Sequence, residues 1–217
     1  MVEAYVGEYA SGKSELAINR ALELCGKGEM VTLVDLDFVE PFYTLRPLKQ
    51  MLEGKGLSVI GWGTKDSFGL GETGGRINPS ARWVLKRPGH IIMDVGYGVH
   101  GAASLNLVEG ALDNEELKVW AVINVTRPMT STVEDIVDYV KNLGRVDGLI
   151  NNTHLGHETT IDLVLAGWRV VKEAASLLGL PVVYSAVEER LRPEALASEL
   201  RNQNIKFIRR YMPGAMW

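Results

Sequence analysis

The sequence predicts an α/β protein, a three-layer sandwich in which helices cover both faces of a mostly parallel central sheet. Short β-branched or apolar runs alternate with longer stretches of helical spacing, as in stacked βαβ units. Several of these runs are apolar throughout, as expected of strands buried on both faces. The first run leads straight into a glycine-bracketed loop and an amphipathic helix.

The first strand is expected over 3–6 and the following helix over 15–24, where Leu16, Ile18, Ala21, Leu22 and Cys25 form an apolar stripe and Ser14 opens the helix. The second strand is expected over 30–36. Glycines break the periodicity between 37 and 88, which predicts loops and short helices there. Residues 90–95, His-Ile-Ile-Met-Asp-Val, read as a buried strand, as do 119–125, 149–152 and 181–186. Helical spacing covers 130–143 and 161–178, with Gly144 and Gly179 as stops, and a last helix is expected over 194–200. No repeat or linker composition divides the 217 residues, so one domain, 1–217, is expected.

Residues 7–14, Gly-Glu-Tyr-Ala-Ser-Gly-Lys-Ser, match the phosphate-binding loop G-x-x-x-x-G-K-[ST]. Gly7 and Gly12 let the backbone curl, so that the N–H groups of Glu8, Tyr9, Ala10 and Ser11 can point inward at a helix amino terminus. Lys13 is expected on the β- and γ-phosphates and Ser14 on Mg²⁺. A strand before the loop and a helix after it are the confirming context, so the motif predicts a P-loop NTPase fold that binds nucleoside triphosphate with magnesium.

A second acid is needed at the end of a neighbouring strand, and Asp94 fits, with Gly96 and Gly98 behind it as a phosphate-sensing turn. Asp35 and Asp37 share one face of a strand end, where two carboxylates repel unless a metal or water network uses them. Asp37 is therefore the second candidate for orienting attacking water or magnesium-bound water.

The net charge of −4 gives no whole-chain attraction to nucleic acid or anionic membrane. Cys25 is the single cysteine, which excludes an intrachain disulfide and leaves too few thiolates for a zinc or iron–sulfur site within one subunit. No signal-peptide pattern and no run of membrane-spanning length occurs, so a cytoplasmic protein is expected. His154, His157 and Glu158 have a spacing that can ligate metal, but Gly156 interrupts it and favours a loop that caps the next helix. Trp62, Trp83, Trp120 and Trp168 are expected as core or interface anchors, and the apolar tail 211–217 could dock on a partner.

The P-loop near Met1, Val-Asp-Leu-Asp at 34–37, Ile-Met-Asp-Val-Gly at 92–96, Val-Ile-Asn-Val-Thr-Arg-Pro at 122–128 and Gly-Leu-Ile-Asn-Asn-Thr at 148–153 together resemble the CobQ/CobB/MinD/ParA-type nucleotide-binding proteins of the SIMIBI class. The likeness runs from the first strand to about Ala186 and looks most like a bacterial branch of ATP-binding proteins. It implies that Asn151 or Asn152 hydrogen-bonds an adenine, since an Asn amide meets both a donor and an acceptor. It also implies that the segment after Tyr184 covers the base. The guanine-reading tetrapeptide Asn-Lys-x-Asp is absent, which favours ATP.

Dimerising members of that family carry a lysine five residues before the P-loop lysine, and here the position is Glu8. A carboxylate beside triphosphate argues against the trans-acting role and takes support from a nucleotide-sandwich homodimer. Arg46, Arg76 and Arg127 are the basic residues on loops near the expected site that could act instead. The functional expectation is a slow, Mg²⁺-dependent ATPase that works as a switch or assembly factor for a protein partner. A small-molecule kinase or ATP-dependent amide-forming ligase, with an acceptor pocket in 62–82, and a non-catalytic nucleotide-binding module are the alternatives.

Overall fold

The computed structural model describes residues 1–37, 45–61 and 78–212. Strands β1 (Val2–Gly7), β2 (Val31–Leu36), β3 (Ser58–Ile60), β4 (His90–Val95), β5 (Leu117–Ile123), β6 (Gly148–Asn151), β7 (Val182–Glu188) and β8 (Ile205–Ile208) form one sheet in the order β3-β2-β4-β1-β5-β6-β7-β8. Every neighbouring pair is parallel. The helices are α1 (Lys13–Cys25), α2 (Lys49–Gly54), α3 (Pro79–Arg82), α4 (Gly98–Ala102), α5 (Val133–Asn142), α6 (Ile161–Leu178) and α7 (Arg192–Ala197).

Strand alternation divides the core into two layers. Ala4 and Val6 of β1 with Val34 and Leu36 of β2 face one layer, shared with Ala81 of α3, Ala102 of α4, Ile136 of α5 and Val171 of α6. Tyr5 and Leu33, the intervening residues, face the other, shared with Leu16, Ile18 and Ala21 of α1 and Leu52 of α2. Each fully buried Leu or Ile contributes roughly 1.5–3 kcal/mol, so the stripe predicted for α1 is what seats the helix behind the P-loop. The three-layer, parallel α/β architecture is as the alternating pattern predicts.

Several boundaries differ from expectation for local reasons. The helix expected from 130 begins at Val133, because Thr132 caps it: the Thr132 hydroxyl accepts from Asp135 N and the Asp135 carboxylate accepts from Thr132 N. Gly179, with φ 67°, ends α6 as expected. The last helix is only Arg192–Ala197, followed by a 3-10 turn over Glu199–Asn202. Strands β3 and β8 are unforeseen, since three or four residues at a sheet's edges are too short to show a period. Trp62, Arg76 and residues 62–77 of the acceptor region expected over 62–82 lie outside the described residues, as does the tail beyond Met212.

Candidate functional site

At the carboxyl end of the central strands, the loop between β1 and α1 opens onto a cavity lined by Tyr9, Lys13, Ser14, Asp37, Tyr97 and Asn152 among others. Parallel α/β sheets hold ligands at this end, where strand order reverses. The reversal falls at β1, with β4 on one side and β5 on the other.

The loop is built for close approach. Gly12, at φ 89°, takes the cap position of α1 and offers no side-chain oxygen to the helix, which leaves the first-turn N–H groups for an anion. A Cβ on Gly12 would stand 2.2 Å from Asn152 Nδ2, which itself donates to Ser11 O at 2.7 Å. A Cβ on Gly7 would stand 2.5 Å from Val122 O of β5. Ala10, at φ 55°, is the only non-glycine residue with positive φ among the described residues. Strain at that place marks a loop held in shape by its surroundings.

Lys13 is buried and its Nζ donates to Glu8 O at 2.9 Å, folding the ammonium back over its own loop. Burial lowers its pKa, while Asp94, Asp37 and Glu8 act in the opposite sense. The Glu8 carboxylate turns back to accept from Tyr9 N at 2.9 Å. Asp94 ends β4 directly beside Asp35 on β2, and burial followed by repulsion from Asp35 raises its pKa. The Ser14 hydroxyl faces Asp94 closely enough to lower that pKa in part, yet stands outside full hydrogen-bond geometry.

Asp37 reaches the same place, for a Cβ on Gly96 would lie 3.3 Å from Asp37 Oδ1. Lys13, Ser14 and Asp37 thus line the cavity, while the buried Asp94 adjoins Ser14 and Gly96 adjoins Asp37. Among the described residues no group of three or more His, Cys, Asp and Glu side chains is arranged to hold a metal ion by itself. That suits magnesium, which is commonly held by one or two protein oxygens, water and phosphate rather than an all-protein cage. A hydroxyl and a buried carboxyl that stop short of each other fit that donor set.

Tyr9 from the P-loop meets Tyr97 from the turn after β4 edge to face, with ring centroids 5.4 Å apart. The two loops that would sense phosphate are therefore in contact. Among the three candidate arginines, Arg46 is buried beneath its loop and Arg76 lies outside the described residues. Arg127, after β5, has Nε and Nη2 buried without a hydrogen-bond partner among the described residues, and burial lowers its pKa, partly offset by Tyr9.

The two asparagines separate. Asn151 points into the fold: its Nδ2 donates to Val164 O and Ser185 Oγ, and its Oδ1 accepts from Thr153 N and Oγ1. With both ends of the amide engaged and no part in the cavity lining, Asn151 has no hydrogen bond to spare for a base. Asn152 does line the cavity.

Beyond Asn152 the wall is made by Ala186 and Glu188 of β7, in the segment after Tyr184 named from the family resemblance, with Met212 of the tail and with Ile208 and Arg210, which the sequence did not single out. This last segment is strapped to α1. Glu15 accepts from Tyr211 N at 2.9 Å and from Met212 N at 2.7 Å, while Asn19 Nδ2 donates to Arg209 O and Asn19 Oδ1 accepts from Arg209 N. Burial raises the Glu15 pKa, partly offset by those two backbone N–H groups.

His154 also lines the cavity, and its Nε2 has no hydrogen-bond partner among the described residues. Burial, then Arg127 and Arg210, push its pKa down to about 4. The unfolded chain therefore binds a proton between about pH 6.5 and 4 that the fold excludes, so stability falls as pH drops through that window. The slope approaches roughly 1.4 kcal/mol per pH unit. His154→Gln should flatten it: in urea titrations at several pH values, the variant's stability relative to wild type should rise steadily from pH 7 to 4.5. Gly156–Glu158 form a short 3-10 turn in the loop that carries His154 and His157 to α6.

No helix among the described residues is long and apolar enough to cross a membrane. No protein-family model and no curated protein matches the chain. Solved structures do. The cell division protein FtsY of Thermotoga maritima superposes with TM-score 0.58 at 16% identity, over 86% of this chain and 61% of that one. FlhF complexed with GTP and Mg²⁺ gives 0.52 at 16%, over 83% and 63%. The signal recognition particle 54 kDa protein of Aeropyrum pernix, in complex with GDP, gives 0.52 at 18%, over 85% and 40%. The chain spans less than two thirds of the length of each. The likeness establishes the fold alone, the parallel α/β fold of P-loop NTPases, and does not single out the CobQ/CobB/MinD/ParA branch.

Proposed function

We propose that this chain is a magnesium-dependent ATP-binding switch whose slow hydrolysis changes its affinity for a protein partner. One observation carries it. Lys13 and Ser14 of the P-loop and Asp37 after β2 line one cavity together with Tyr9 and Tyr97, whose rings are in contact, and Asp94 and Gly96 at the end of β4 adjoin Ser14 and Asp37.

In this reading the backbone N–H groups of residues 8–12 cradle phosphate, and Lys13 leaves Glu8 O for the β- and γ-phosphate oxygens. Ser14 and Asp94 hold Mg²⁺, directly or through water, and Asp37 orients water on the γ side. Bound Mg²⁺ would supply positive charge to neutralise the developing phosphate charge. A γ-phosphate near Gly96 would press on Tyr97 and so on Tyr9, which ties nucleotide state to the shape of the mouth. Arg127, whose Nε and Nη2 are buried without a hydrogen-bond partner among the described residues, is the candidate to assist from within the same chain.

The structural neighbours include a GTP/Mg²⁺ complex and a GDP complex, which supports the switch class. Adenine rests on the family resemblance and on the missing Asn-Lys-x-Asp. Limited proteolysis should differ between ATP–Mg²⁺ and ADP–Mg²⁺, with ATP consumed at on the order of one turnover per minute or slower, below the usual range for enzymes. Identical protection by ATP, ADP and a non-hydrolysable analogue, with no phosphate released, would sink the switch.

A further inference from the structure

We infer that Glu188 is a specificity-determining residue that reads the 6-amino group of a purine, making the far end of the cavity selective for adenine over 6-oxo purines. This rests on the nucleotide reading above and deepens it. The carrying observation is a carboxylate oriented by Arg190 on a wall where Val164, Ala186, Ile208 and Met212 supply apolar surface, with Arg210 on the same wall and Glu15 adjoining.

Strand alternation puts Ala186 and Glu188 on the cavity side of β7 while Val187 between them packs into the core. Ile208 is the parallel partner of Glu188 on β8, and Met212 follows on the same wall. With Val164 of α6, these give Ala, Val, Ile and Met surfaces for the faces of a flat ring. The slot adjoins Glu15, the residue after Ser14, whose pKa Glu188 raises. It is therefore reached by extending a nucleotide from the P-loop along the first turn of α1.

Glu188 is aimed by a relay. Arg190 Nε donates to Glu188 Oε2 at 2.8 Å, and Arg190 Nη2 is fixed in turn by Thr159 O at 2.9 Å and His157 O at 3.1 Å. The Glu188 side chain is 20% exposed and Oε1 accepts no side-chain or backbone bond among the described residues. A carboxylate offers acceptors only, so it pairs with an N–H donor and repels a carbonyl oxygen. Adenine presents an amine at its 6 position, whereas guanine and hypoxanthine present oxygen there. Sites built around such a polar pairing reject the mismatched analogue strongly, because the mismatch leaves buried polar groups unpaired.

The test is equilibrium binding of ATP, ITP and GTP with Mg²⁺ to the full chain, in wild type, Glu188→Gln and Glu188→Lys. ITP differs from ATP only at the 6 position and its adjoining ring proton. Wild type should favour ATP over ITP by on the order of thirtyfold or more. Glu188→Gln should shrink that ratio severalfold, and Glu188→Lys, which brings a donor, should invert it. Retention of triphosphate binding by Glu188→Lys, seen with ITP, separates lost selectivity from lost folding.

An ATP/ITP ratio near one in wild type, with binding still dependent on Lys13, would overturn the role of Glu188 and leave the P-loop assignment standing. So would a ratio untouched by Glu188→Gln. Preference of the wild type for GTP, collapsing in Glu188→Gln, would mean that the carboxylate reads the guanine N1–H and 2-amino edge and would overturn the 6-amino assignment. Failure of all three nucleotides to bind would overturn both readings together.

Discussion

Lys13→Ala should emerge from purification without nucleotide, whereas the wild-type chain should carry adenine nucleotide detectable by mass spectrometry of the denatured protein. Lys13 Nζ makes its one hydrogen bond to Glu8 O, a bond the loop can lose cheaply. Phosphate oxygens would give the ammonium two or more charge-assisted bonds in a dry site, each worth roughly 1.5–3 kcal/mol. Affinity for ATP–Mg²⁺ should therefore fall by about a hundredfold or more by calorimetry, which corresponds to about 3 kcal/mol.

The fold should survive the change. Removing the ammonium strips a cation from beside Asp94 and Asp37, but the raised pKa of Asp94 shows a carboxyl already inclined to hold a proton. Thermal unfolding should shift by only a few degrees. Guanine nucleotide in the wild-type preparation would overturn the adenine assignment, and equal nucleotide in Lys13→Ala would remove the P-loop lysine from the site.

What could be seen in the sequence was what lies close together along it. The P-loop occupies eight consecutive residues, and each acid ends an apolar strand, so Lys13, Ser14, Asp37 and Asp94 were legible from local pattern. The choice between Asn151 and Asn152 was not, because adjacent residues at a strand end face opposite ways and only the partners decide. Asn151 meets Val164 and Ser185, while Asn152 meets Ser11, 141 positions away. The part of the cavity wall on and after β8 was hidden for the same reason. Glu15 holds Met212 across 197 positions, and Glu188 becomes a cavity residue only because β7 and β8 stand side by side. A single sequence carries no signal of such pairings, and β8 was too short to announce itself.

Gly12→Ala should destabilise the folded chain by roughly 2–5 kcal/mol, measured by urea unfolding without nucleotide. Two separable costs make up that figure. The position has φ 89°, where a Cβ costs about 1–2 kcal/mol. The new methyl would also stand 2.2 Å from Asn152 Nδ2, which must swing away and abandon Ser11 O. Breaking that buried pair adds about 1–3 kcal/mol.

Gly179→Ala supplies the control for the first cost. Its φ is 67° and nothing lies within 4 Å of the added Cβ, so it should lose only about 1–2 kcal/mol. Asn152→Ala supplies the control for the second. In that background the obstructing amide is gone, and Gly12→Ala should cost no more than Gly179→Ala does, a non-additivity of about 1–3 kcal/mol expected of residues in contact. Full additivity would show that Asn152 does not brace the P-loop. Nucleotide affinity should track the same cycle, because Asn152 holds the loop whose N–H groups would receive the phosphates.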